Sequence, residues 1–138
     1  MRPDRPLPDS DDAVMAPFWS ALAERRLLLQ RCSHCGYVRM PPSELCPECW
    51  MRGGEWTSVP PVGTIWSFAT YRRSLHPGFE EEVPYTVALV ELDGGVRLVG
   101  RLEASSSDKA RIGSRVRGVF EDLEGVVTLL SWKLDEGA

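Results

Sequence analysis

Apolar and polar positions change rhythm along this chain, and three textures succeed one another. Residues 1–12 hold three prolines and four aspartates without periodicity, the composition of a flexible lead-in. From Val14 the apolar residues Val14, Phe18, Trp19 and Leu22 recur three to four positions apart, the stripe of a short amphipathic helix. Ser10 or Asp11 would cap it, and Pro17 is expected to split it into two pieces. Residues 26–31 (RLLLQR) read as a short strand leading into a group of cysteines. Residues 51–61 contain Gly53-Gly54 and Pro60-Pro61 and predict a connector.

Beyond Pro61 the period changes to two. Alternation over residues 63–71 puts Trp66, Phe68 and Thr70 on one face of a strand. Residues 85–92 and 96–102 flank Asp93-Gly94-Gly95 as a hairpin, and 116–120 and 126–132 flank the turn residues Glu124-Gly125. Five short strands with little helix predict a small closed barrel, because closure removes the exposed edges of an open sheet. The five-stranded oligonucleotide/oligosaccharide-binding (OB) barrel is the obvious candidate. The expected fold is mainly β: residues 1–26 a tail and helix, 27–60 a metal-binding ribbon, 61–138 the barrel.

Composition narrows the function classes. With 138 residues, 43% hydrophobic and 26% charged, the chain is long enough to bury a core and is typical of a soluble globular protein. A net charge of −4 weighs against a surface that gathers nucleic acid or acidic lipid. Nearly all cations are arginines, with only Lys109 and Lys133 as lysines; arginine suits planar recognition of phosphate and carboxylate. No signal-peptide pattern and no run of about 20 apolar residues is present. With its cysteines read as metal thiolates, the chain is expected in the cytoplasm.

The chemistry concentrates in sulfur. All four cysteines fall in two matched pairs, Cys32-x-x-Cys35 and Cys46-x-x-Cys49. Each pair can turn two sulfurs toward one ion, and two such knuckles complete a tetrahedron, the closed geometry of structural zinc. Gly36 suits a left-handed turn after the first pair. One structural zinc ion is expected; iron in a rubredoxin-like site is the alternative. His34, inside the first knuckle, is expected on its surface rather than in place of a sulfur.

A catalytic apparatus is hard to find. His34 and His76 are the only histidines, and His76 precedes Pro77 in a loop, a poor setting for a general base. No phosphate loop, nucleophile elbow or dinucleotide fingerprint occurs. Glu80-Glu81-Glu82 reads as a solvated charge run. Phe18, Trp19 and Leu22 are candidate anchors for a protein partner, against plain internal packing. Trp66, Phe68, Tyr71, Arg72 and Arg73 combine aromatics with positive charge; ordinary barrel core competes there with contact to a nucleotide-containing ligand.

The order of these motifs resembles the family called domain of unknown function 35, OB-fold proteins with a rubredoxin-like zinc ribbon. The resemblance rests on Phe18-Trp19, residues 27–36 (LLLQRCSHCG), Pro41-Pro42, residues 46–49 (CPEC), residues 63–67 (GTIWS), residues 84–92 (PYTVALVEL) and Ile112-Gly113. It implies an accessory subunit that stabilises a thiolase-like enzyme acting on acyl-CoA, such as a thiolase, an acyltransferase or a steroid side-chain aldolase. Acyl-CoA would sit at the shared interface, with Arg39, Arg72 and Arg73 as candidate contacts to CoA or nucleotide. Family members often place a basic residue after the two prolines, where this chain has Ser43 and Glu44. The competing readings are a stand-alone acyl-CoA-binding protein and a nucleic-acid-binding OB protein.

Overall fold

A computed structural model describes residues 5–123 and 125–135. The first four residues of the lead-in, Glu124 of the last turn and residues 136–138 of the barrel segment lie outside the described residues. Helix α1 spans Ala16–Ala23. It starts later than expected and is not split, because Pro17 falls in its first turn, where proline has no N–H to lose to the helix. Met15 occupies the N-cap without a side-chain bond, so neither Ser10 nor Asp11 is the cap.

Strands β1 (Leu28–Cys32), β2 (Val38–Arg39) and β3 (Gly54–Ser58) form a three-stranded antiparallel sheet in the order β2-β1-β3. Strand β3 was expected to be connector. It pairs with all of β1, from Leu28 opposite Ser58 to Cys32 opposite Gly54, and thereby closes the ribbon.

The barrel contains β4 (Val62–Tyr71), β5 (Tyr85–Leu92), β6 (Arg97–Leu102), β7 (Arg115–Leu123) and β8 (Val127–Leu134), closed in the order β4-β5-β6-β8-β7. A short helix, α2 (Ala104–Ser107), links β6 to β7. The expected alternation is plain in β5, which buries Thr86, Ala88, Val90 and Leu92. Gly63 lets β4 lie directly against β5; a Cβ there would stand 2.3 Å from the Glu91 carbonyl oxygen.

The alternation fails in β4. Ile65 faces Val90 and Ser67 faces Leu89, so Trp66 is an extra residue in a bulge. One inserted residue reverses which side chains point inward. Phe68 and Thr70 are thereby brought to the inner face, opposite Ala88 and Thr86, while Trp66 is thrown out beneath Arg97, whose guanidinium carbon lies 3.7 Å from the ring centroid. Trp66, Phe68 and Tyr71 are all exposed, so they are not the barrel core that ordinary packing would have made of them.

Strands β6 and β8 run parallel and meet in register only at Leu102 and Trp132. Helix α1 packs beside this seam, against β8 and, less extensively, β1 and β7. Its Phe18 and Leu22 join one apolar cluster with Leu27 and Leu29 of the ribbon side and Trp132, Leu102 and Ile65 of the barrel. Ribbon and barrel therefore share a single core. Arg25, left-handed at φ 64°, turns the chain after α1 and forks onto Asp122 of β7 at 2.8 and 3.0 Å. No helix among the described residues is long and apolar enough to cross a membrane.

Candidate metal centre and the surfaces around it

The ribbon sheet brings the two knuckles face to face. The Sγ atoms of Cys32, Cys35, Cys46 and Cys49 all lie within 4.8 Å of one another, with Cys32–Cys49 and Cys35–Cys46 each 3.6 Å apart. A tetrahedron with metal–sulfur bonds of about 2.3 Å has edges of roughly 3.8 Å, so the four sulfurs fit one ion. No histidine belongs to the group; exposed His34 contributes only its backbone N–H.

Both knuckles are built alike. The N–H groups of His34 and Cys35 point at Cys32 Sγ at 3.4 and 3.5 Å, and that of Glu48 at Cys46 Sγ at 3.4 Å. Each turn ends in a left-handed residue whose N–H returns to the carbonyl of the first cysteine. These are Gly36 at φ 79° and Trp50 at φ 64°, at 3.1 and 2.9 Å. Aligning CSHCG on CPECW would have shown that Trp50 takes glycine's place; its indole is 76% exposed.

Electrostatics separate the two cysteines of a knuckle. Hydrogen bonds from the backbone of Cys35 and His34 draw the Cys32 thiol down to about 6. Cys46 is also lowered: desolvation opposes ionisation there, but the N–H groups of Cys49 and Glu48 together with the Cys35 and Cys49 thiols outweigh it. Cys35 and Cys49 shift upward, although the N–H groups of Tyr37 and Met51 favour their thiolates, because desolvation and the neighbouring sulfurs oppose a second charge. A divalent cation held by the four sulfurs would offset that opposition and favour all four thiolates.

The other expected site residues are dispersed. Arg39 is only 4% exposed. Its Nε donates to Gln30 Oε1 at 2.7 Å and its Nη2 to the Ser43 carbonyl at 2.8 Å, while Ser43 N–H returns to Gln30 Oε1 at 2.8 Å. Arg39 thus pins the loop between the knuckles instead of facing a ligand, and Ser43, where relatives were expected to carry a cation, is part of that clamp. Phe18 and Leu22, the candidate partner anchors, lie in the chain's own core, Phe18 being 7% exposed and Leu22 fully buried. Trp19 is half-buried beside them. Arg72 and Arg73 are exposed at the end of β4 and carry no ion pair among the described residues.

His76 is a structural cap: its Nδ1 accepts from Gly78 N–H at 2.9 Å at the head of the turn Pro77–Phe79. Glu82 is not a solvated charge. It is half-buried and accepts from Arg5 and Arg101, and Arg101 in turn lies 4.2 Å from the Tyr85 ring centroid. A cavity of about 530 Å³ opens where β6 and β8 part, with Phe18, Trp19, Met40, Leu98 and Leu130 among its walls.

Known proteins match this arrangement part by part. A family model described as ChsH2, rubredoxin-like zinc ribbon domain, matches residues 19–53, and one described as ChsH2, C-terminal OB-fold domain, matches residues 56–121. The chain is 41% identical over 119 residues to a probable enoyl-CoA hydratase alpha subunit of Thermomonospora curvata, covering 84% of this chain and 34% of that protein. It is 32% identical over 141 residues to the 3-oxo-4,17-pregnadiene-20-carboxyl-CoA hydratase alpha subunit of Mycobacterium tuberculosis, covering 97% of this chain and 42% of that protein. It thus spans less than half the length of either. A DUF35 domain-containing scaffold protein of Methanothermobacter thermautotrophicus is 31% identical over 117 residues, or 80% of this chain and 87% of that one. Among solved structures, a chain of the Ltp2-ChsH2(DUF35) aldolase superposes with a TM-score of 0.80 at 33% identity, covering 94% of this chain and 98% of that one. This chain belongs to the DUF35 family of zinc-ribbon and OB-fold proteins.

Proposed function

We propose that the chain is a scaffold subunit of an acyl-CoA enzyme complex, docked on a thiolase-like or aldolase subunit that carries the reaction. The observation that carries this reading is its alignment over 98% of a chain of the Ltp2-ChsH2(DUF35) aldolase at a TM-score of 0.80. The zinc-ribbon match and the four gathered sulfurs support one zinc ion held by Cys32, Cys35, Cys46 and Cys49. Bound there, zinc would supply folding energy rather than catalysis, because four thiolates leave no position for water. Arg72 and Arg73 are the exposed cations proposed to lie at the shared interface; Arg39 is bonded within the ribbon.

Affinity purification of the chain from its own cells tests the proposal. A stoichiometric thiolase-like subunit, with turnover of an acyl-CoA by the pair and none by the chain alone, is expected. Repeated purification without any acyl-CoA enzyme would overturn it. The two hydratase alpha subunits favour a second reading, in which the co-purifying enzyme is an enoyl-CoA hydratase. Calorimetric binding of acyl-CoA to the isolated chain would instead favour a stand-alone carrier.

A further inference from the structure

The barrel leaves one strand half-paired. Strand β4 is bound on one side by β5 along nearly its whole length, but on the other side β7 meets it only from Val62 to Thr64. The loop before β7 extends the pairing by one residue: Ile65 N–H reaches the Ser114 carbonyl and Gly113 N–H reaches the Ile65 carbonyl, both at 2.9 Å. There the pairing stops. From Ser67 to Tyr71 every second residue turns its N–H and C=O away from β5, and every residue of that stretch is exposed.

Two side chains mark the same gap. Phe68 lies on the inner face, opposite buried Ala88, yet is 40% exposed because nothing stands on its open side. Ile112, in the loop where pairing ends, is 71% exposed. Natural sheets blunt such edges with charge or proline; residues 67–71 (SFATY) contain neither, and charge returns only with Arg72 and Arg73.

We propose that the edge Ser67–Tyr71 is where the catalytic partner subunit docks, by adding an extended segment to β4 as a further strand. An apolar residue of that segment covers Phe68 and Ile112, and an acidic residue meets Arg72 and Arg73. Charge complementarity favours a protein strand over nucleic acid, since the nearby Arg97 and Arg101 are already tied to Glu91 and Glu82 and leave too few free cations to follow a phosphate backbone. The inference rests on the subunit reading proposed for this chain.

The test uses the full chain and the acyl-CoA enzyme subunit that co-purifies with it. Amide exchange at residues 67–71 is expected to slow by about 100-fold in the complex. Phe68→Ser, and separately Arg72→Glu with Arg73→Glu, should each weaken binding by at least about tenfold. Both variants should keep the wild-type melting temperature within a few degrees, and Trp50→Ala should bind as the wild type does. If no enzyme subunit binds, the subunit reading falls and this inference with it. A complex in which residues 67–71 exchange as in the free chain, or one indifferent to both variants, overturns the inference alone. So does protection of the same amides by a single-stranded oligonucleotide or by a second copy of this chain.

Discussion

Between Leu28 and Ser58 the only buried residues are Leu29, Cys32, Arg39 and Cys46, whereas β5 alone buries four residues in eight. The ribbon's interior is sulfur, one guanidinium clamp and Leu29; the barrel's is a contiguous apolar cluster. A short sheet with so little apolar area would need an ion on its four sulfurs to hold a single conformation. The barrel needs none. The same sequence therefore contains one region built around four gathered sulfurs and another stabilised by removing apolar surface from water.

The contrast is open to experiment. Cys46→Ala has the largest expected effect: loss of one equivalent of metal and of amide protection throughout β1, β2 and β3, with β5 to β8 still protected, read by elemental analysis and hydrogen exchange. Equal loss in both regions would show that the core shared through Leu27 and Leu29 outweighs the division. Trp132→Ala attacks the other side. It should cost about 3–5 kcal/mol in denaturant unfolding while the folded fraction keeps its full metal content. Phe18→Ala should cost about 3 kcal/mol and loosen α1 from the barrel seam without releasing metal.

A finer test uses the fork between Arg25 and Asp122. Arg25 and the Thr128 hydroxyl, which lies 2.6 Å from Asp122, hold the Asp122 carboxyl down to about 2. Its folded value lies below its unfolded one, so the stabilisation is complete above the ordinary carboxylate range of about 4 and is lost as pH falls toward 2. Asp122→Asn should flatten that part of the acid dependence of the urea midpoint and leave neutral-pH metal binding unchanged. The smallest effect is expected from Trp50→Gly. It should stabilise the ribbon by about 1 kcal/mol, because a left-handed residue with a side chain costs that much, measured as a rise in the chelator concentration needed for unfolding.

The grouping of the four sulfurs was legible in the sequence, because ligand spacing is local: two residues between sulfurs fix a knuckle wherever the rest of the chain goes. The sequence carried the barrel well for the same reason, since alternation in residues 85–92 survives into β5 without a shift. Strand β3 escaped because Gly53-Gly54 signals a break, and only pairing with β1, far back along the chain, makes a strand of residues 54–58. The bulge at Trp66 is equally invisible locally, and it reverses the face of every later residue in β4. Phe18 and Leu22 show the same limit: an amphipathic stripe says that a helix has a buried face, not what buries it. Arg39 was drawn toward phosphate by its charge, but Gln30 and the Ser43 carbonyl, brought in by the fold, claim it first.

The core that Leu27 and Leu29 share with Trp132 governs how this unit can be moved between polypeptides. Cutting between ribbon and barrel would open an apolar wound on both pieces, so a transplanted copy has to run unbroken from α1 through β8, and junctions to foreign sequence belong outside those limits. A graft made that way should fold as a cassette at either flank of an unrelated protein.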